Sequence, residues 1–284
     1  IRSTGTGTIT LSGTATAGAN SDGIDLDDPS TAVGSTITSV EGAILITALS
    51  TGADNGFELQ GGSTVVSTGT GASAATITIN GTATLNGVSI DGIGSAIRST
   101  DGAIRITGTG TGTVVDGTYG LQLSDGEISS IGTGTTAATI TLTGMAFDDG
   151  LDIDNAFNVN SVDGNILIEG TSNTDDGIDL DGNAVIRSTG TGANAATITL
   201  DGTGANSKGI ESDDSQITSV DGNISLTGEG DRGIDLETTA VSSTGSSNIE
   251  LIGAGNSSDG IDLGTTTIRS LGTGTIDLDG TTNE

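Results

Sequence analysis

Acidic side chains recur at fixed points along this chain. After the first apolar position of a Gly-Ile-Asp-Leu-like segment, successive copies read Asp25, Glu58, Ser89, Gln122, Asp152, Asp179, Glu211, Asp235 and Asp262. From Asp152 onward, every copy carries an acid: Asp152, Asp179, Glu211, Asp235 and Asp262. A second series follows two residues later, through Asp27, Asp91, Asp154, Asp181, Asp213 and Glu237. Rows of carboxylates supply the hard oxygen ligands that Ca²⁺ takes. Carboxylates stacked about 4.8 Å apart in a water-like dielectric repel by roughly 0.9 kcal/mol per neighbour before screening, a cost that bound cations would relieve. The plainer reading is a solvated acidic face that keeps an extended molecule soluble. That reading outweighs a defined Ca²⁺ site, because the Gly-Gly-x-Gly-x-Asp nonapeptide of calcium-binding β-rolls is absent. Diffuse, weak Ca²⁺ binding fits either reading.

Other residues with chemical potential have bland explanations. Asp152 and Asp154 with Asp179 and Asp181 could imitate the carboxylate pair of a glycoside hydrolase. Those acids follow the repeat, where a catalytic site should break it, so an enzyme is not expected. Thr8/Thr10, Thr76/Thr78, Thr139/Thr141 and Thr197/Thr199 could form an ice-binding array, but Ala43/Leu45, Ala103/Arg105 and Asn165/Leu167 interrupt it. Threonine is also simply a good exposed strand residue. The Gly-Thr-Gly runs lead into no helix and carry no lysine, as a phosphate loop would; the one lysine of the chain is Lys208. Arg2, Arg98, Arg187 and Arg269 share one column, as surface charges of small energetic weight or as partners for neighbouring acids.

Composition excludes whole classes. There is no Cys and no His, so thiol nucleophiles, zinc fingers and His-assisted hydrolysis are out. The net charge of −30 argues against nucleic acid and anionic membrane as partners. No apolar run approaches the length of a membrane span, so membrane insertion is not expected.

The elements that must hold these residues are short strands. Apolar and polar residues alternate over a few positions between Gly, Asp and Asn, which is the strand signal, and no 3.6-residue pattern is sustained. A segment of the form Ile/Val-x-Ser begins near residues 1, 37, 65, 97, 128, 159, 186, 217, 241 and 268, a period of about 30. Each unit adds a Thr-Ile-Thr-Leu-like segment (Ile9/Leu11, Ile104/Ile106, Ile276/Leu278) and the Gly-Ile-Asp-Leu-like segment (Ile24/Leu26, Leu151/Ile153, Ile261/Leu263). Three short strands per unit, each with one apolar face, specify an all-β parallel β-helix of about ten coils, one solenoid over residues 1–284, right-handed by the usual crossover preference. The glycine before every third segment, for example Gly150 and Gly177, marks either a positive-φ corner or a tight backbone approach. The serine closing the first segment is expected as a small inward residue at another corner.

A two-coil period overlies the first. Even units span five residues from that serine to the next segment (Ser99–Ile104), whereas the odd units Ser67–Ile77, Ser130–Ile140 and Ser188–Ile198 span ten; the shorter odd spans Ser3–Ile9 and Ser243–Ile249 depart from this pattern. The longer loops protrude on every second coil, and Thr68, Thr70, Ser73, Thr133, Thr135, Thr189, Thr191 and Asn194 are the candidate contacts to a glycan or host surface. Neither end shows a polar cap, which solenoids use to cover terminal coils. The expected partners are therefore adjoining repeats of a longer chain or copies of this one, stacked end to end.

Units such as Ile217-Thr-Ser-Val-Asp-Gly-Asn-Ile-Ser-Leu-Thr227 and Asp176-Gly-Ile-Asp-Leu-Asp181 resemble the β-helical repeats of large bacterial surface and secreted proteins, of the filamentous-haemagglutinin and autotransporter-adhesin kind. The resemblance implies export to the cell surface or beyond, an extended rod, and a role as filament, sheath, matrix fibre or adhesin stalk. The absence of cysteine suits such a location.

Overall fold

The computed structural model describes residues 1–16, 21–27, 34–113 and 117–283. Each repeat contributes three strands. The first are short, such as Ala96–Ser99 and Val185–Ser188; the second are seven residues long, such as Ile104–Gly110 and Ile166–Ser172; the third are short again, such as Leu151–Asp154 and Ile178–Leu180. Equivalent strands of successive repeats pair side by side, giving three parallel sheets of ten, ten and nine strands. The chain is thus an all-β parallel β-solenoid of about nine turns of about 29 residues. Among the described residues the only helical pieces are three single 3₁₀ turns. No helix there is long and apolar enough to cross a membrane.

Register follows chemistry. Ile97 stands beside Ile128, Ile104 beside Ile140, and Leu121 beside Leu151. A single turn cannot bury its own apolar face, but its neighbours above and below complete it. The resulting columns, including Ile44, Leu123, Ile153, Ile198 and Leu236, are fully buried. Each such aliphatic side chain contributes on the order of 1.5–3 kcal/mol when removed from water. Phe157, outside every apolar position of the repeat, is also fully buried at a corner. It fits because Gly126 of the preceding turn lacks a side chain; a Cβ there would stand 2.8 Å from the Phe157 ring.

The glycine before each third strand serves tight approach, not a positive φ. A Cβ on Gly177 would lie 2.3 Å from the Thr203 nitrogen and 2.6 Å from the Gly209 oxygen. Left-handed backbone sits instead in the long loops, at Gly71, Gly134 and Gly192, and at a different corner, between the third strand and the next first strand. Gly61, Gly62, Gly92, Gly94 and Gly182 occupy it in some turns, and Asp125, Asn155, Ala156, Asn183, Asp214 and Thr238 in others. Glycine pays no steric cost there, and Asn and Asp are the side chains that tolerate it best.

A second glycine column lies in the middle of the seven-residue strands. A Cβ on Gly170 would meet the Gly177 oxygen at 1.9 Å, because the second and third sheets close against each other at this point. Gly170→Ala is expected to destabilise the solenoid by about 1–3 kcal/mol, as overpacking against backbone does. Thr171→Ala, one residue on and exposed, should stay within about 0.5 kcal/mol. Thermal melting of the two variants checks the contrast.

Candidate functional site

The third sheet carries the acidic face. Asp152 stands in register with Asp179, Asp179 with Glu211, Glu211 with Asp235, and Asp235 with Asp262. The column is therefore real, but it is not uniformly solvated. Asp152 is only 9% exposed, and Asp179 and Glu211 are half-buried.

The fold relieves the stacked charge in two ways. Burial, reinforced by neighbouring acids, pushes Asp152 and Asp179 up to about 8. Farther along the column, cations of the chain itself take over. Lys208 Nζ stands 2.5 Å from Glu211 Oε2, and Arg232 pairs with Asp235 and lies 3.3 Å from Asp262. Glu211 is held below the usual range: burial raises it, but hydrogen bonds shared with Asp176 and Lys208 outweigh burial.

Beside this column runs a second row of polar side chains that the repeat pattern did not single out. It occupies the position before each corner glycine. Asp22 Oδ1 accepts the Asn55 N–H at 3.0 Å, Asn86 Oδ1 that of Tyr119 at 3.2 Å, Asp149 Oδ1 that of Asp176 at 3.0 Å, and Asp176 Oδ1 that of Lys208 at 2.7 Å. Each carboxylate or amide thus clips the backbone of the next turn. The recurring Asp-Gly and Asn-Gly pairs were the available signal, with Tyr119, Lys208 and Arg232 as departures from it. Burial is the first cause that raises Asp149 to about 8 and Asp176 to about 7.

Three carboxylate trios stand close enough to share a cation: Asp22–Asp25–Glu58, Asp149–Asp175–Asp176 and Asp176–Asp179–Glu211. In the third, the Lys208 ammonium already supplies the positive charge. At Asp22–Asp25–Glu58 no lysine or arginine is paired among the described residues, and burial with mutual repulsion raises Glu58 to about 8 and Asp22 to about 6.

The protruding loops form the other candidate surface. Thr68, Thr70, Ser73, Thr133, Thr135, Thr189, Thr191 and Asn194 are all exposed. Each long loop makes one 3₁₀ turn, at Gly71–Ser73, Gly134–Thr136 and Gly192–Asn194. An aspartate of the following short-loop turn holds it: Asp101 Oδ2 accepts the Gly71 N–H at 2.6 Å, Asp163 that of Gly134 at 2.6 Å, and Asp221 that of Gly192 at 2.7 Å. The two-coil period is therefore an interlock, in which one turn carries the loop and the next carries its clasp. Between the loops of turns five and seven lies a notch of about 180 Å³, lined by Thr135, Asp163, Asn165 and Asn194.

The first-segment serines from Ser39 to Ser243 are buried, and Ser3 and Ser270 of the terminal turns are partly so. Ser99 and Ser161 Oγ donate to the Gly102 and Gly164 oxygens at 2.5 Å in short-loop turns. In the long-loop turns the Oγ of Ser67, Ser130 and Ser188 has no partner, as does that of Ser219 in turn eight. Of the arginine column, Arg98 makes an exposed ion pair with Glu127 of the next turn at 2.9 Å. A groove of about 370 Å³ on the outer face of the second sheet, lined by Thr197, Asn223, Asn248 and Thr275 among others, shares no residue with the acidic face. The Thr array it belongs to is interrupted by these asparagines.

Compared with known proteins, the chain matches no family model, no curated sequence and no solved structure.

Two expectations follow. The carboxyls of Asp149, Asp152, Asp176 and Asp179 titrate far above their ordinary 3.8 in the folded chain. The folded state then holds more protons than the unfolded one, so their contribution is complete below the unfolded value and is lost as pH rises through the folded one. The melting temperature should fall between about pH 4 and pH 8, and the double variant Asp152→Asn, Asp179→Asn should flatten that slope. Separately, Asp163→Ala should cost about 1–2 kcal/mol by freeing a charge-assisted hydrogen bond. Amide hydrogen exchange should quicken at Gly134 and leave Gly192 unchanged.

Proposed function

We propose that this chain is a structural rod: an extracellular β-solenoid segment of a filament, sheath, matrix fibre or adhesin stalk. The observation that carries the reading is the unbroken stack, in which three parallel ladders and continuous apolar columns bind every turn to the next. Such a stack resists extension because backbone hydrogen bonds and buried columns must be broken turn by turn. The acids that gather on the third sheet follow the repeat, which favours a surface property over catalysis. The resemblance to haemagglutinin-type repeats supports the same role and the extracellular setting.

The pinned loops favour a second reading, an adhesin module that recognises glycans. A loop of the same shape, at the same place on turns three, five and seven, presents Thr and Asn side chains at a fixed repeat. Weak Ca²⁺ binding belongs with the structural role and is assigned to Asp22–Asp25–Glu58.

Electron microscopy of the purified chain at neutral pH, with and without Ca²⁺, tests the rod. Particles about 45 Å long for nine steps, or fibres built from them, are the expected result. Compact particles would overturn it. Asp25→Asn with Glu58→Gln should abolish any Ca²⁺-induced rise in melting temperature. Replacing Thr135 and Asn194 by Ala should leave the rods intact, and a loss of glycan retention in that variant would favour the adhesin reading.

A further inference from the structure

Lys208 is the chain's one lysine, and it replaces the Asp or Asn that most turns place before the corner glycine. Its ammonium lies between two carboxyl groups, 2.5 Å from Glu211 Oε2 and 3.6 Å from Asp176 Oδ2. Asp176 belongs to the turn below and is 3% exposed. Its other oxygen, Oδ1, is fixed by the backbone N–H of Lys208 itself at 2.7 Å. An amine, a buried carboxyl and a second carboxylate in contact with both are the parts needed for amide condensation. We infer that Lys208 and Asp176 join through an intramolecular amide bond that ties the sixth turn to the seventh.

The step balances without a co-reactant. The ammonium gives one proton to Glu211, and the neutral Nζ attacks Cγ of protonated Asp176. The Nζ–Cγ bond forms and the Cγ–Oδ2 bond breaks. Glu211 hands its proton to the departing hydroxyl and takes the second proton from nitrogen, so one water leaves. Glu211 then returns the remaining proton to solvent.

The surroundings suit each part. The N–H on Oδ1 polarises the carbonyl and receives the charge that develops on it in the tetrahedral intermediate. Burial and the hydrogen bond to Glu211 raise Asp176 to about 7, so its carboxyl already carries one of the two hydrogens of the departing water, and Glu211 supplies the other. Burial favours the neutral amine, although the Glu211 hydrogen bond and the Asp176 charge raise Lys208 overall. A bond that forms once, in a chain held in place by its own fold, needs only a small reactive fraction, because proximity makes the reaction unimolecular. Neither the rod nor the adhesin reading is required for it.

Because Lys208 is unique, a lysine-specific endoprotease reads the bond directly. The aged chain, denatured and digested, should remain in one piece and weigh one water less than its sequence. After digestion with a second protease of different specificity, tandem mass spectrometry should find the peptides around Lys208 and Asp176 linked. Lys208→Arg and Asp176→Ala should restore the full mass, and Glu211→Gln should slow bond formation by about a hundredfold or more. Circular dichroism of each variant confirms that the solenoid still forms. A chain of full mass that is cut after Lys208 overturns the inference. So does a chain one water light that is still cut there, since a succinimide at Asp176-Gly177 loses the same water. A linkage from Lys208 to Glu211 would overturn the assignment to Asp176.

Discussion

The physical constraint on which this molecule depends is in-register stacking. Every residue of a turn stands beside its own equivalent about 4.8 Å away, above and below. The arrangement amplifies whatever the repeat contains. An isoleucine column becomes a continuous dry core, since each side chain meets an identical surface. A glycine column becomes a line along which neighbouring backbones close to contact, as at Gly170 and Gly177. An aspartate column becomes a row of like charges in contact with one another.

Most of the chain's polar architecture is a response to that last consequence. Where burial and neighbouring acids act together, at Asp152 and Asp179, the carboxyls are pushed up to about 8 and hold protons at neutral pH. Where the repeat is broken by Lys208 and Arg232, the charge is neutralised from within. Where acids lie at the turn corners, as at Asp149 and Asp176, they are turned to use as acceptors for the next turn's backbone. Asp101, Asp163 and Asp221 do the same for the protruding loops. Several acids of this solenoid are therefore elements of its scaffold and not only surface charges. The two departures into Lys and Arg are local solutions to a problem the repeat itself creates.

Loops and scaffold are coupled by the same logic. The corner serines of the ten-residue spans, Ser67, Ser130 and Ser188, have no hydrogen-bond partner, a state that Ser219 shares in a five-residue span. The following turn reaches back with an aspartate to hold the loop itself. From the third turn to the eighth, odd and even turns are thus unlike parts of one unit two turns long.

The sequence by itself determined the solenoid: its three strands per turn, its register and the identity of its core columns. Those follow from period and alternation, which are local properties repeated until their pattern is unmistakable. It also marked the acid column and the exposed loops, because both sit at fixed offsets within the repeat. It offered two explanations for the glycine before the third strand, and only the folded chain chose between them, since tight approach depends on a backbone one turn away. Likewise only the tertiary structure decided that Asp152 is buried, that Asp163 clasps Gly134, and that Lys208 faces Asp176. Residues 29 to 32 positions apart come into contact there through stacking alone. A side chain's partner, solvation and protonation belong to the turn above and the turn below, and a linear pattern does not say how closely those turns approach.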